Sequence, residues 1–419
     1  MLCSSAQNQL TSLHQNNRIS SAASLSLRLF CLLGFFLCAA IASPAQTLTT
    51  LASFDFTNGD YPFYGSLVEG PNGSYYGTTL EGGTYGFGTV FEITTAGTLT
   101  SLYSFCSPPN CTDGGQPYGG LVLDSDGNFY GVTAYSGGNG AGTVFKISTS
   151  GKLTTLYTFC SQTNCADGGS PQAGLASSAN GVLFGTTSYG GTNFAGTIFR
   201  ITPAGKLTTL YNFCSKPNCA DGSYVQSPLT LATNGNYYGA TESGGANNWG
   251  TVFEVTPEGE FTTLHSFSFI DGAAPVGGLV QASDGNLYGT TNGGGKSNNG
   301  TVFKITKAGK LTTIYNFCVE AYCADGDIPF GTLIQGSNGN LYGTTFQGGT
   351  GYHGTVFEMT TAGDLKTLHS FVGTDGASPF AGVVEGSNGD LYGTTYQGGD
   401  YNCSSPPLYG CGTVFSLTQ

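Results

Sequence analysis

The sequence predicts an all-β protein, a seven-bladed β-propeller with four antiparallel strands per blade. Three observations predict it. First, a Gly-Thr-Val/Ile-Phe unit is written seven times, beginning at Gly88, Gly142, Gly196, Gly250, Gly300, Gly354 and Gly412. Its intervals of 54, 54, 54, 50, 54 and 58 residues mark a repeat architecture. Second, each period holds four short apolar segments separated by turn signals, which is the pattern of a four-stranded blade. Third, the last copy stops after Gly412-Thr413-Val414-Phe415-Ser416-Leu417 without its fourth strand. The missing strand stands at the other end, as Leu48-Thr49-Thr50-Leu51-Ala52-Ser53-Phe54. Pairing it with the last three strands closes a ring and hides two sheet edges. An open solenoid would instead carry polar capping repeats at its ends.

The second copy shows the elements in order. Gly119-Gly120-Leu121-Val122-Leu123 is a first strand, and Asp126-Gly127 turns the chain into Phe129-Tyr130-Gly131-Val132-Thr133. A Gly-rich loop, Gly137 to Gly140, leads to the third strand, Gly142 to Ile147. Ser150-Gly151 then turns it into the fourth, Leu153 to Phe159. The first turn recurs as Asn-Gly or Asp-Gly at Asn72, Asp126, Asn180, Asn234, Asp284, Asn338 and Asn388. A two-residue hairpin with φ > 0 at both positions is expected there.

The repeat spans residues 46–419, read as one domain, and residues 1–45 stand outside it. Arg18 and Arg28 precede an apolar run, Leu29 to Ile41, followed by small residues with cleavage options at Ala42 and Ala45. That reads as a secretory signal peptide. A membrane anchor would need a longer run, and no second apolar run follows, so no membrane contact is expected after cleavage. Secretion, the periplasm or the cell surface is the expected location.

Of 13 cysteines three lie in the leader. Eight form Cys-x4-Cys pairs: Cys106 with Cys111, Cys160 with Cys165, Cys214 with Cys219, and Cys318 with Cys323. Cys403 and Cys411 share one loop. Five local disulfides are expected in an exported protein; zinc, the rival, prefers Cys-x2-Cys with a second converging pair. With Arg18 and Arg28 removed, ten basic residues face 25 acidic ones, a balance of −15. Such a field excludes nucleic acid and anionic membranes as partners and suits cationic ones. A monomer without cofactor is expected.

The units Leu-Tyr-Gly-Thr-Thr (287–291 and 341–345), Gly-Thr-Val-Phe-Lys-Ile-Thr (300–306) and Leu-Thr-Thr-Leu-Tyr-x-Phe resemble the bacterial GloVer (Gloeo/Verruco) tandem repeat over residues 48–419. The resemblance implies an exported repeat protein and brings no activity with it. Family members often carry a C-terminal surface anchor; here Gln419 directly follows a strand, so no anchor domain is expected.

In an antiparallel meander alternate connections share an end. The two tight turns of every blade therefore lie on one face, and the Gly-Gly loop and the inter-blade connection lie on the other, the loop face. Binding residues usually sit in loops on a rigid scaffold. Variation between copies concentrates there, above all at the residue before each Gly-Thr unit: Phe87, Ala141, Ala195, Trp249, Asn299, His353 and Cys411. Trp249, the only tryptophan, is the leading binding candidate. His353 is its polar neighbour, and Phe87, Tyr85, Tyr352, Tyr401 and Tyr409 are stacking platforms for sugar rings.

Asp113, Asp167, Asp221, Asp271, Asp325 and Asp375, with Asn58 in the seventh place, leave two readings: a carboxylate ring at the channel mouth suited to Ca²⁺, or residues that bond their own turns. Asp124-Ser125-Asp126-Gly127 reads as a turn because no calcium-loop Glu follows, and Gly293 to Ser297 fits no phosphate loop. His265 and His369 occupy the place of Tyr103, Tyr157, Tyr211 and Tyr315 and read as packed strand residues. No catalytic set is evident, although one could be built from Asp60, Asp400 or Glu242. Binding of an extracellular glycan or surface protein is therefore favoured over a polysaccharide hydrolase or lyase working at the channel.

Overall fold

Strands form where the sequence places apolar and β-branched runs between glycine turns, and they assemble blade by blade. A computed structural model describes residues 46–399, Cys403 and residues 410–419. The leader, Asp400, Tyr401 and Tyr409 lie outside the described residues. Seven four-stranded antiparallel sheets follow one another. The first complete blade is Val68–Glu69, Tyr75–Thr79, Thr89–Ile93 and Leu99–Ser104. The last combines Val384–Glu385, Leu391–Thr395 and Thr413–Leu417 with Leu48–Ser53 from the other end of the chain, Leu48 opposite Leu417 and Ser53 opposite Thr413. The ring closes three-plus-one.

Second strands are buried throughout, third strands are buried at all but one position, and fourth strands have no fully buried residue. Each of the seven seams between blades has its own apolar cluster. Phe54, Tyr392 and Val414 of the last blade pack on Leu67, Tyr75, Phe91 and Ile93 of the first, as Tyr130 and Phe159 pack on Leu183 and Phe199 one blade further round. The central Gly of Tyr-Gly-Thr-Thr has a packing cause. Gly77 lies opposite Phe91 in the ladder, and a Cβ there would sit 2.6 Å from the Phe91 ring. That ring lies across the strand only because the Gly is bare.

The hairpin turns differ from the expected type. Gly73 has φ 75°, but Asn72 stays out of the left-handed region. Gly73 N–H donates to Gly70 O and Gly70 N–H to Ser74 O, a three-residue loop of a type I turn with a glycine bulge. Asn and Asp are there for their side chains. Asn72 Oδ1 accepts from Ser74 N–H and its amide donates to Glu92. Asp126 accepts from Asn128 N–H, the Tyr130 hydroxyl and Lys146 Nζ at 2.6 Å. The third-strand partner follows the turn residue: Asn72, Asn234 and Asn338 meet Glu92, Glu254 and Glu358, whereas Asp126 and Asp284 meet Lys146 and Lys304.

All five expected disulfides are present. Four close the inter-blade connections: Cys106 with Cys111, Cys160 with Cys165, Cys214 with Cys219, and Cys318 with Cys323. The fifth joins Cys403 to Cys411 in the last blade. In the first four the paired residues are five apart in the chain, so each bridge ties a loop to its own base rather than one blade to another. The same cysteines sit in the left-handed region, from Cys106 and Cys111 (φ 67° and 50°) through Cys160, Cys165, Cys214 and Cys219 to Cys318 and Cys323. No helix among the described residues is long and apolar enough to cross a membrane.

Candidate functional site

The repeated aspartates do not ring the channel. Each turns outward to the fourth strand of the preceding blade. Asp113 accepts from the Tyr103 hydroxyl at 2.8 Å, Asp167 from Tyr157 and Asp325 from Tyr315. Asp271 and Asp375 meet His265 and His369 instead, at 2.9 and 2.8 Å. Of the two readings, bonding within the connection is the one the structure bears out, because these oxygens accept from backbone N–H groups of their own turns and from the outer strand. Where the fourth strand offers Ala52, the aspartate is replaced by Asn58, which bonds the Asp55 N–H within its own turn. His265 and His369 thus do the work of a tyrosine. Burial would raise the Asp375 carboxyl, but the His369 ring and the Val372 N–H together hold it below its ordinary value.

What surrounds the channel mouth is set by one residue per inter-blade connection: Tyr61, Gln116, Ser170, Tyr224, Ala274, Ile328 and Ser378. All seven have φ between 51° and 60°, a region unfavourable for non-glycine residues. Two hydrogen bonds offset the strain. The N–H donates across the seam to the residue before the previous Gly-Thr unit, as Ala274 to Trp249 O at 3.0 Å and Ser378 to His353 O at 2.7 Å. The C=O accepts from the residue just past the second strand of its own blade, as from Glu242 N–H to Tyr224 O at 3.0 Å. The backbone is thereby pinned identically seven times, while side chains beside it vary freely.

Two rings of variable side chains follow. Just past the second strand stand Leu80, Ala134, Ser188, Glu242, Asn292, Phe346 and Tyr396, seven residues of seven types. Entering the first strand are Phe63 with Tyr64, then Tyr118, Gln172, Gln226, Val276, Phe330 and Phe380. Aromatics fall in the sixth, seventh, first and second blades of chain order and touch one another. Phe63 lies 4.4 Å from Phe380 and 5.3 Å from Tyr118 between centroids, Phe380 lies 4.5 Å from Phe346, and Tyr61 stacks on Tyr396 at 4.5 Å. The opposite arc, Gln172, Ser188, Gln226, Glu242 and Asn292, is polar. Residues in and leading into the first strands of six blades line a largely apolar cavity of about 440 Å³, Tyr64, Phe330 and Gln226 among them.

Three carboxyls stand out at this face. Glu242 Oε2 is buried without a hydrogen-bond partner, and burial raises its pKa. Its charge, after burial itself, is the next cause that pushes the Tyr64 hydroxyl up, ahead of Tyr118 and Tyr224. Asp60 is 3% exposed with Oδ1 unpartnered; burial first, then Glu81, pushes it up to about 7 against the Tyr61 N–H. Asp327 holds the same repeat position in the sixth blade and is likewise raised by burial, with Oδ1 unpartnered.

The sequence-derived patch is on this same face but not at the mouth. Trp249 is 42% exposed, its ring 4.8 Å from Phe269 of the next connection. Tyr85, Phe87 and Tyr352 are exposed and His353 half-buried. Trp249 stands at the seam of the fourth and fifth blades and His353 at that of the sixth and seventh, two seams further round. The aromatic arc was missed by sequence reasoning. Its signal was available: the residue after the connecting Pro (Val225 in one copy) and the residue after the second strand change type from copy to copy while their neighbours hardly do.

Fold and mouth together define a closed seven-bladed propeller repeat protein with a channel mouth differentiated around its ring. The chain belongs to the Gloeobacter/Verrucomicrobia repeat family, whose model matches residues 40–177, 161–335 and 318–419. No curated protein matches the sequence. Among solved structures it is similar to virginiamycin B lyase from Staphylococcus aureus, with TM-score 0.57 and 17% identity over 89% of this chain and 99% of that one. It is also similar to the extracellular domain of a protein from B. thetaiotaomicron described as a hybrid two-component system, with TM-score 0.56 and 10% identity over 89% of this chain and 39% of the other. The chain thus spans about two-fifths of that domain. A protein from Bacteroides uniformis described as a 6-phosphogluconolactonase matches with TM-score 0.51 and 16% identity, over 82% and 98% of the two chains. At these identities the likeness concerns the fold.

Proposed function

We propose that this protein is an exported, non-catalytic propeller that binds an extracellular glycan at the loop-face mouth of its channel. The observation that carries the reading is the aromatic arc of Phe63, Tyr64, Tyr118, Phe330 and Phe380 facing a polar arc across one opening. A sugar ring has apolar faces and a hydroxylated rim, and such a two-sided mouth meets both. Five disulfides support an oxidising compartment, and concave sites with a few polar groups are where ligands bind. Trp249, Tyr85 and Tyr352 extend the contact outward for a longer chain or a surface protein.

The test is calorimetric titration of purified residues 46–419 with oligosaccharide panels, repeated with Tyr64→Ala, Tyr118→Ala and Trp249→Ala. Loss of about ten-fold or more in affinity in either tyrosine variant is expected, roughly 1.4 kcal/mol. A ligand whose affinity survives both changes places binding elsewhere. A hydrolase or lyase at the channel is the second reading, favoured by the unpartnered, burial-raised Glu242 carboxyl. Reducing ends or unsaturated products released by the wild type and abolished by Glu242→Gln would establish it.

A further inference from the structure

The lining of the 440 Å³ cavity spans the inner strands from end to end. It includes Tyr64, Gln226 and Phe330, which lead into first strands from the loop face. It also includes Glu69 and Leu123, the last residues of their first strands before the hairpin turns. Tyr64 and Glu69 are five residues apart, roughly 17 Å at the rise of an extended chain. A volume of this size is in the range of small-molecule sites.

The walls are the wrong chemistry for a sugar. Val68, Leu121, Val122, Leu175 and Pro228 offer no hydrogen bond from their side chains. Sugar hydroxyls placed against them would give up water without replacement. The one charged side chain in the lining, Glu69, is already engaged: its oxygens accept from the Ser387 N–H at 3.1 Å and the Ser387 hydroxyl at 2.7 Å. Apolar carbon is what such walls favour. The aromatic arc runs into this wall without a break. Tyr64 lines the cavity and lies 6.1 Å from Phe330, which lines it too, and 5.7 Å from Phe380 of the arc. A sugar held against these rings therefore has an apolar continuation beside it.

Resting on the glycan reading above, we infer that the ligand is amphiphilic, a sugar carrying an alkyl or acyl tail, with the sugar at the aromatic arc and the tail in the cavity. A flexible chain suits a long lining better than a compact ring system does. The polar arc of Gln172, Gln226 and Asn292 is left to the hydroxyl groups of the sugar.

The experiment is calorimetry on the folded, disulfide-intact protein with butyl, octyl and dodecyl glucoside, each below its micelle-forming concentration, beside tail-free glucose oligomers and dodecanol. Affinity should rise at least ten-fold from butyl to octyl and again from octyl to dodecyl, within the roughly four-fold per methylene that burial supplies. The test variant is Leu123→Glu. Its position already carries Glu69 and Glu385 in the first and last blades, so the scaffold accepts the residue. It should lower dodecyl glucoside affinity about ten-fold or more and leave butyl glucoside within about two-fold. Should it unfold, Val122→Thr, which copies Thr230 of the fourth blade, is read in its place for a smaller loss of the same sign. Equal affinity at all three tail lengths, or dodecyl glucoside binding unchanged in the folded variant, would overturn the inference. Dodecanol matching dodecyl glucoside would overturn it too, since the sugar would then contribute nothing. The glycan reading is judged separately, by the tail-free oligomers and by Tyr118→Ala, a residue outside the cavity lining.

Discussion

Phe54→Ala tests ring closure at a single side chain. Phe54 follows the N-terminal strand, is 1% exposed, and lies edge-on to Phe91 with centroids 5.1 Å apart. It packs within a cluster of residues drawn from both ends of the chain. Its counterparts Phe105, Phe159, Phe213, Phe267, Phe317 and Phe371 are fully buried at the other six seams. Removing a buried Phe ring costs about 3–5 kcal/mol in transfer and cavity terms, a large part of the roughly 5–15 kcal/mol that holds a domain folded. Phe213→Ala, inside an uninterrupted stretch of chain, is the internal control and should cost about the same. Urea unfolding would be followed by circular dichroism and by Trp249 emission, reading the midpoint shift at unchanged slope. If Phe213→Ala loses about 3 kcal/mol or more and Phe54→Ala less than about 1, the N-terminal strand is not part of the ring in solution. Deleting residues 46–54 carries the same logic further, since it exposes the edge of Thr413–Leu417 and should bring aggregation.

Replacing both Cys318 and Cys323 by Ser should lower stability by about 2 kcal/mol, the loop-closure value for so short a crosslink; a loss above about 4 kcal/mol in chemical denaturation would show that the bridge does more than tether its loop. Asp60 binds its proton more tightly folded than unfolded, so its contribution is most favourable below about pH 4 and declines as pH rises towards about 7. Asp60→Asn should therefore raise the melting temperature at pH 8 more than at pH 4, and an equal shift at both would contradict the buried, unpartnered carboxyl.

Much of the architecture could be read from the chain because the repeat writes it seven times. The period, the displaced fourth strand, the local cysteine pairs and the division into two faces all follow from one-dimensional spacing. The hairpins show where spacing misleads. Asn72 looks chosen for backbone conformation, but it serves as a side-chain acceptor for Ser74 and a donor to Glu92. The aspartates show it again, for the Tyr103–Asp113 separation of ten and the His265–Asp271 separation of six were both visible in the sequence. Only the folded connection shows that they are one contact with and without a cysteine insertion. The mouth was hidden for another reason. Tyr64 and Phe380 stand at opposite ends of the chain and meet at 5.7 Å only because the ring closes, so no local pattern could bring them together.

The left-handed residue in each connection has a consequence for how the mouth can vary. By tying two neighbouring blades through main-chain atoms alone, Tyr61, Ile328 and their counterparts separate the job of holding the ring from the job of furnishing it. Positions such as Ser188, Glu242 and Asn292 can then be exchanged one sector at a time, at little risk to the scaffold. Seven backbone sockets of one geometry can each be refitted on their own. A combinatorial library confined to the seven residues that follow the second strands would sample new recognition surfaces on an unaltered frame.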